Sequence, residues 1–274
     1  MQTANDAEAV RPGRGQAGAD RVEILGVPLS LLSRHDVRQA VQGLLREPPG
    51  DACAHVVTLN PEYVMRARQD EPFRRSVGQA DLITADGVGV LIAAKMIAGV
   101  RAARLERVTG VELVEWLAAE SGEAQAPLFL LGASAGSAAE AAARLRARFP
   151  DARIAGWWAE GSSDPRDDAE TIARIGASGA SVVLVAYGAP GQVLWIERNR
   201  DALARAGISM AIGVGGALDF LAGRVPRAPR IVRQFGLEWL YRLIRQPWRW
   251  RRQLVLPLFA ILVLRDAVRA RVRR

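Results

Sequence analysis

Asp86 stands in Ala85-Asp86-Gly87-Val88-Gly89, directly after a short apolar run. A single carboxylate at a strand tip can act as a general base, taking a proton from a hydroxyl. It can equally cap the helix that begins at Val88. Thr58 and Asn60 follow another apolar run and add two polar side chains of the same kind. Arg107 and Thr109 precede Gly110, where a helix N-terminus could face an anion or where Thr109 could simply cap. Gln192, after Gly188-Ala189-Pro190, could orient a substrate hydroxyl or be a solvated first-turn residue. Gly213-Val214-Gly215-Gly216 could let a phosphate or a nucleotide close to the backbone, or be a tight strand–helix turn. Asp219, three residues on, could hydrogen-bond a ribose or a base, or cap a helix.

Other chemistries find less support. His35 and His55 are the two histidines, and neither has a partner at metal-ligand spacing. Cys53 is the one cysteine, which rules out an internal disulfide and a cysteine-based zinc site and fits a reduced, cytoplasmic compartment. No metal site is expected. Gly132-Ala133-Ser134-Ala135-Gly136 has the letters of a nucleophile elbow, but no later histidine completes a triad. Asp164, Asp167 and Asp168 read as capping and solvated residues of a loop.

The elements that must position these residues alternate in type. Strands are expected at Val22–Leu25, His55–Leu59, Leu82–Thr84, Leu128–Leu131, Ala152–Trp157, Val182–Ala186 and Met210–Val214. Helices are expected at Arg34–Arg46 (capped by Ser33), Glu62–Gln69, Val88–Ile97, Gly110–Ala119, Ser137–Arg148, Asp167–Ala177 and Gln192–Ala206. Several strand runs are apolar throughout, as in a sheet covered on both faces, and the β-α alternation argues for a largely parallel α/β sheet. The polar and glycine residues cluster just after strands, where open parallel sheets bind ligands, so one site built from several loops is expected.

Charge divides the chain. Residues 224–274 hold 14 arginines against Glu238 and Asp266, a net of +12, while residues 1–223 carry −4. A basic tail on a mildly acidic body seeks a polyanion. Two helical stretches are expected there, Arg230–Arg245 and Trp248–Arg273, either side of Pro247. The second is amphipathic and basic, the description of an interfacial membrane helix. The longest apolar run, Leu254–Leu264, is too short to span a bilayer. Arg242, Arg249 and Arg252 recur at spacings of seven and three and could pair with a diphosphate or serve as membrane-surface charge. A nucleic-acid-binding protein is the competing class, since the tail is basic and carries tryptophans. Against it, the basic residues are interleaved with a long aliphatic face that nucleic acid does not require. Three regions result: a disordered tail over 1–20, an α/β domain over 21–223 and a helical appendage over 224–274.

Taken in order, six strings resemble the WecG/TagA/CpsF glycosyltransferases over about residues 21–265. They are Thr58-Leu-Asn60-Pro-Glu62, Ala85-Asp86-Gly87-Val-Gly89, Arg107-Val-Thr109-Gly110, Gly188-Ala-Pro-Gly-Gln192-Val-Leu-Trp195, Gly213-Val-Gly-Gly-Ala-Leu-Asp219-Phe-Leu-Ala-Gly223 and Gly236-Leu-Glu-Trp239-Leu-Tyr-Arg242. The resemblance implies a Rossmann-like domain with a helical C-terminal appendage that meets the membrane. It implies an inverting, metal-independent transferase without a cofactor, moving a sugar from a UDP-sugar to a polyprenyl-diphosphate-linked sugar in cell-surface polymer assembly. By motif position Asp86 is the expected base, with Thr58, Asn60, Arg107, Thr109 and Gln192 at the sugar end of the pocket. Gly132, Tyr187, Gly188, Gly213, Gly215, Gly216 and Asp219 are expected at the nucleotide, and Arg242, Arg249 and Arg252 complete the site. Val193 stands where many relatives carry Glu, a difference that bears on sugar identity rather than on reaction class. Relatives associate through the α/β body, which leaves a dimer or trimer open.

Overall fold

The computed structural model describes residues 20–225, 229, 232, 238–245 and 254–272. Of the expected disordered tail over 1–20, residues 1–19 therefore lie outside the described residues, as do Arg249 and Arg252.

Six parallel strands form the central sheet: β3 (Ala54–Leu59), β4 (Leu82–Ala85), β5 (Leu128–Gly132), β6 (Ile154–Trp158), β7 (Val182–Ala186) and β8 (Met210–Gly213). Their order is β4-β3-β8-β7-β5-β6. Strands β3, β4, β5, β7 and β8 are buried at every position, which is why they read as continuous apolar runs rather than as alternating ones. Successive residues still face opposite layers. Val56, Leu128, Leu130, Val182, Leu184, Met210 and Ile212 join one core, with α1 (Arg34–Arg46), α5 (Gly110–Glu120), α6 (Ser137–Arg148) and α9 (Ala217–Leu221). The intervening residues Val57, Leu59, Ile83, Phe129, Leu131, Val183, Val185 and Ala211 point the other way. That layer holds α2 (Pro61–Ala67), α3 (Glu71–Gly78), α4 (Val88–Ala98), α7 (Asp168–Ala177) and α8 (Gly191–Arg205).

Local chemistry explains most boundaries. Ser33 and Asp36 close a reciprocal capping box on α1, and Thr109 and Glu112 do the same on α5. Of the acidic loop, Asp164 caps a 3-10 turn through the Arg166 N–H as expected, whereas Asp167 accepts from the Ser162 hydroxyl and Asp168 pairs with Arg198.

Four elements depart from the expectation. The first strand is β1 (Arg21–Ile24), and it pairs antiparallel with an unforeseen β2 (Val27–Ser30), apart from the main sheet. Leu25 and Gly26, both at positive φ (51° and 83°), make the two-residue turn between them. Leu-Gly lacks the Asn-Gly signature of such turns, and Pro28 masks the second strand. Helix α3 was read as loop, although Asp70 caps it and Pro72 opens it. Helix α9 is outside the expected helices, although the strand–helix turn reading of Gly213–Gly216 leads into it. Strand β6 starts at Ile154, two residues late. In the appendage, the described helices are α10 (Glu238–Arg245) and α11 (Val255–Val272). Helix α11 packs against α2 and α4, burying Phe259, Val263 and Ala267 at a spacing of four. Among the described residues, no helix is long and apolar enough to cross a membrane.

Candidate active site

The strand tips gather on one edge of the sheet. Leu59 pairs with Ala85 and Val57 with Gly213, so β4, β3 and β8 end side by side. Asp86 therefore shares an edge with the Gly213–Gly216 turn. Its N–H donates to Leu59 O at 2.7 Å. Gly87, at φ 118°, is the N-cap residue of α4, so Asp86 stands one place before the cap. A Cβ on Gly87 would sit 3.9 Å from Asn60 Cβ, which places Asn60 beside the Asp86-Gly87 turn. On the other flank Val108 N–H donates to Ala85 O at 3.0 Å and lays Arg107 next to the same tip. The Arg107 guanidinium makes no ion pair or hydrogen bond among the described residues. Thr58 is buried, and its hydroxyl donates to Gly213 O at 3.1 Å, tying β3 to β8. Asn60 Oδ1 accepts from Tyr63 N–H and caps α2.

Like Thr58 and Asn60, Thr109 and Gln192 are engaged internally. Thr109 Oγ1 accepts from the Glu112 N–H at 3.3 Å and its hydroxyl donates to Glu112 Oε2 at 2.8 Å, so the simple capping reading is the one observed. Gln192 is neither solvated nor open to the cleft: it is 1% exposed. Its amide nitrogen donates to Tyr63 Oη at 2.7 Å, and its oxygen accepts from the N–H groups of Gly188 (3.1 Å) and Gly215 (3.0 Å). One side chain thus pins the loops after β3, β7 and β8. Gly213 permits this, because a Cβ there would lie 2.7 Å from Gln192 Nε2. Val193 is fully buried in the apolar layer with Leu59 and Phe259, so a polar group at that position would face packing rather than open solvent.

The expected nucleotide residues surround a change of direction. The chain leaves β5 toward β6 at one edge and leaves β7 toward β8 on the other side, so the crevice between β5 and β7 is a topological switch point. Gly132 ends β5 at φ 83° against the Tyr187 ring, where a Cβ would lie 2.8 Å from Cδ1. Burial pushes the Tyr187 hydroxyl up to about 12, so it stays protonated at neutral pH. Gly110 packs against the Val214 backbone, and Gly215 has φ 52°. Asp219 accepts from the Ser134 hydroxyl at 2.5 Å, which joins the β8–α9 turn to the loop after β5. Ser134 was discounted as a nucleophile, and its partner here is this carboxylate. Sequence reading passed over Ser137, the first residue of α6. It is fully buried, its Oγ finds no partner among the described residues, and the helix N-terminus at Gly136 carries no side-chain cap. Its one sequence signal is the glycine pair at 132 and 136.

The appendage reaches this edge. Phe259 of α11 lies near Gly89, where a Cβ would be 3.6 Å from Cε1, three residues beyond Asp86. Arg242 lies in α10. An open depression of about 440 Å³ lies farther along the same carboxyl edge, past the end of β6, lined by Trp158, Glu160, Gly161, Asp167, Glu170 and Arg174. Three carboxylates against one arginine, already paired with Glu170, suit no phosphate there. Among the described residues no three His, Cys, Asp or Glu side chains gather as a metal site.

A strand-tip carboxylate, a neighbouring arginine and a glycine-lined crevice stand on one edge of the sheet. The chain is 35% identical over 212 residues to N-acetylglucosaminyldiphosphoundecaprenol N-acetyl-beta-D-mannosaminyltransferase of Bacillus spizizenii, covering 77% of this chain and 79% of that protein. The model of the "Glycosyl transferase WecG/TagA/CpsF family" matches residues 22–273, and with the geometry above this chain belongs to that family of glycosyltransferases.

Proposed function

We propose that this glycosyltransferase moves a sugar from a UDP-sugar to a polyprenyl-diphosphate-linked sugar at an anionic membrane surface, the inner face of the cell membrane, with inversion and without a metal or cofactor. The donor class is an N-acetylmannosamine-like sugar, its uronic acid or a hexose. The relative's name supports an acceptor ending in N-acetylglucosamine on undecaprenyl diphosphate. The observation that carries the reading is the position of Asp86 between Asn60 and Arg107, on the same edge as the glycine crevice.

The chemistry is one displacement. Asp86 accepts the proton of an acceptor hydroxyl as that oxygen attacks the anomeric carbon, and UDP departs from the opposite face. Negative charge grows on the departing diphosphate and needs fixed donors. Arg107, the backbone N–H groups of the Gly213–Gly216 turn and the start of α6 with Ser137 are the donors at hand. Arg242, Arg249 and Arg252 would add guanidinium groups from the appendage. Gln192 holds the loops rather than the sugar.

The test is turnover of a panel of UDP-sugars on a synthetic lipid-diphosphate N-acetylglucosamine acceptor, with product configuration read by NMR and chelator added in parallel. Asp86→Asn should lower kcat by about 10²–10⁴-fold while the fold is retained. Full activity in that variant overturns the base assignment, loss of wild-type turnover on chelation overturns metal independence, and a retained anomeric configuration overturns the single displacement.

A further inference from the structure

Helix α4 has an unusual composition for its place. Lys95 is the one charged residue among Val88–Ala98, so the helix is apolar all round. Such a helix is ordinarily buried. Here Val90, Ala93, Ala94 and Ala98 are buried, but Ile92 is 52% exposed, and Val100, in the 3-10 turn Gly99–Ala102 that follows, is 90% exposed. Helix α11 packs beside α4 and repeats the pattern. It buries Phe259, Val263 and Ala267 and leaves Leu258, Ile261, Leu264 and Val268 outside. Two neighbouring helices therefore each keep an uncovered apolar stripe.

The charges around these stripes share a sign. Among the described side chains of α4, the 3-10 turn and α11, the exposed charged ones are Lys95, Arg101, Arg265 and Arg269, with Asp266 as the one acid. Arg101 is tied to Asp20. Apolar side chains ringed by cations complement an anionic bilayer: the stems lie along the apolar surface while the charged ends reach the phosphates. Isolated exposed apolar residues need no explanation, but stripes on two packed helices do.

We propose that the catalytic body carries its own membrane contact, formed by α4 and its 3-10 turn through Ile92 and Val100, and that this contact enters the same anionic leaflet as the outer face of α11. It rests on the membrane reading above and goes beyond it, because that reading assigns docking to the appendage alone. Helix α4 starts two residues after Asp86, so its insertion would set the height of the reacting carboxylate above the lipid headgroups.

Cys53 is fully buried and its thiol is pushed up by burial, so a cysteine placed at Val100 would be the accessible thiol. The full chain carrying V100C, labelled with a nitrobenzoxadiazole fluorophore, is mixed with phosphatidylglycerol-containing vesicles with and without chain-nitroxide lipid. A blue-shifted emission quenched by the nitroxide is expected, while the same label at Arg205→Cys, at the far end of α8, stays in water. In parallel, Ile92→Asp and Val100→Asp should each weaken vesicle partitioning about tenfold without altering the circular dichroism spectrum. A label that remains aqueous on vesicle-bound protein overturns this inference and leaves the membrane reading standing. No vesicle binding by the wild-type chain overturns both. A label shielded without vesicles in a concentration-dependent way assigns the face to a second copy of the chain and overturns it as well.

Discussion

At the amino end of β3, His55 Nδ1 lies 2.9 Å from Glu197, and the Asp81 carboxylate takes bonds from the His55 N–H (2.7 Å) and from Arg200 (2.6 Å). Arg200 spends its remaining donors on the carbonyls of Cys53 and Gln79. At the carboxyl end of the same strand, Asn60, Asp86 and Arg107 are brought together by backbone bonds and glycine contacts. There Arg107 makes no ion pair among the described residues. Both ends gather acids, an arginine and polar neighbours within one buried sheet. What separates them is the arginine: Arg200 is paired with Asp81, and Arg107 has no ion pair among the described residues. Buried charges that are mutually paired hold the structure, and losing one partner is costly. An arginine held in place without an ion pair stands ready for an anionic ligand.

That contrast can be broken by substitution at either end. Asp81→Ala strips Arg200 and the His55 N–H of their acceptor and should cost about 3–5 kcal/mol in denaturant unfolding. Activity per folded molecule should hold; a fall in kcat would mean the two ends are coupled. Arg107→Ala should do the reverse, lowering kcat/KM about 100-fold, roughly 2.7 kcal/mol, with the unfolding midpoint nearly unmoved. A large midpoint shift would return Arg107 to the structural class.

Gln192→Ala lies between the two cases. It leaves the Gly188 and Gly215 N–H groups and the Tyr63 hydroxyl without their partner, so about 1–3 kcal/mol of stability should go. KM for the donor should rise with it, since the loops after β7 and β8 lose a common anchor. Unchanged KM would show that these loops hold without it. Thr109→Ala should cost only about 1 kcal/mol through the lost cap on α5, with kcat preserved. If kcat falls instead, the hydroxyl serves substrate after all.

The smallest effect is a pH dependence. Burial raises the Glu112 carboxyl, but bonds from the Thr109 backbone, the Arg34 guanidinium and the Thr109 hydroxyl outweigh it and hold the group below its ordinary 4.5. A folded value below the unfolded one gives stability that is present above about pH 4.5 and lost as pH falls through the folded value. Glu112→Gln should therefore be less stable than wild type at neutral pH by under about 1 kcal/mol, with the gap closing in acid. A gap that widens in acid would invert the assignment.

Much of this was legible in the sequence because parallel sheets advertise themselves. Strand β7 and helices α1 and α6 were placed to the residue, since apolar runs, Ser33 and the alanine-rich period of α6 are local signals. The hairpin β1–β2 was half seen because its turn depends on Leu25 at positive φ, which sequence composition does not signal. Within the site, Asp86, Asn60 and Arg107 were singled out by their places after strands. Gln192 was singled out too, but its task was misread, because an amide after a turn looks solvated until three loops close over it. Ser137 was missed, since one serine among small residues gives no sign of burial. Family membership decides for an enzyme over the nucleic-acid binder weighed beside it.

By itself the sequence determined the layered α/β class, the division into an acidic body and a basic appendage, and which polar and glycine residues follow the strands. These follow from periodicity, charge count and residue type, which are properties of segments. Tertiary structure alone decided that β4, β3 and β8 end side by side, that Gln192 is a strut, and that α11 lies against α4. Those facts depend on strand order and on which faces meet, and a polar side chain becomes tie or tool only when its neighbours across the sheet are known.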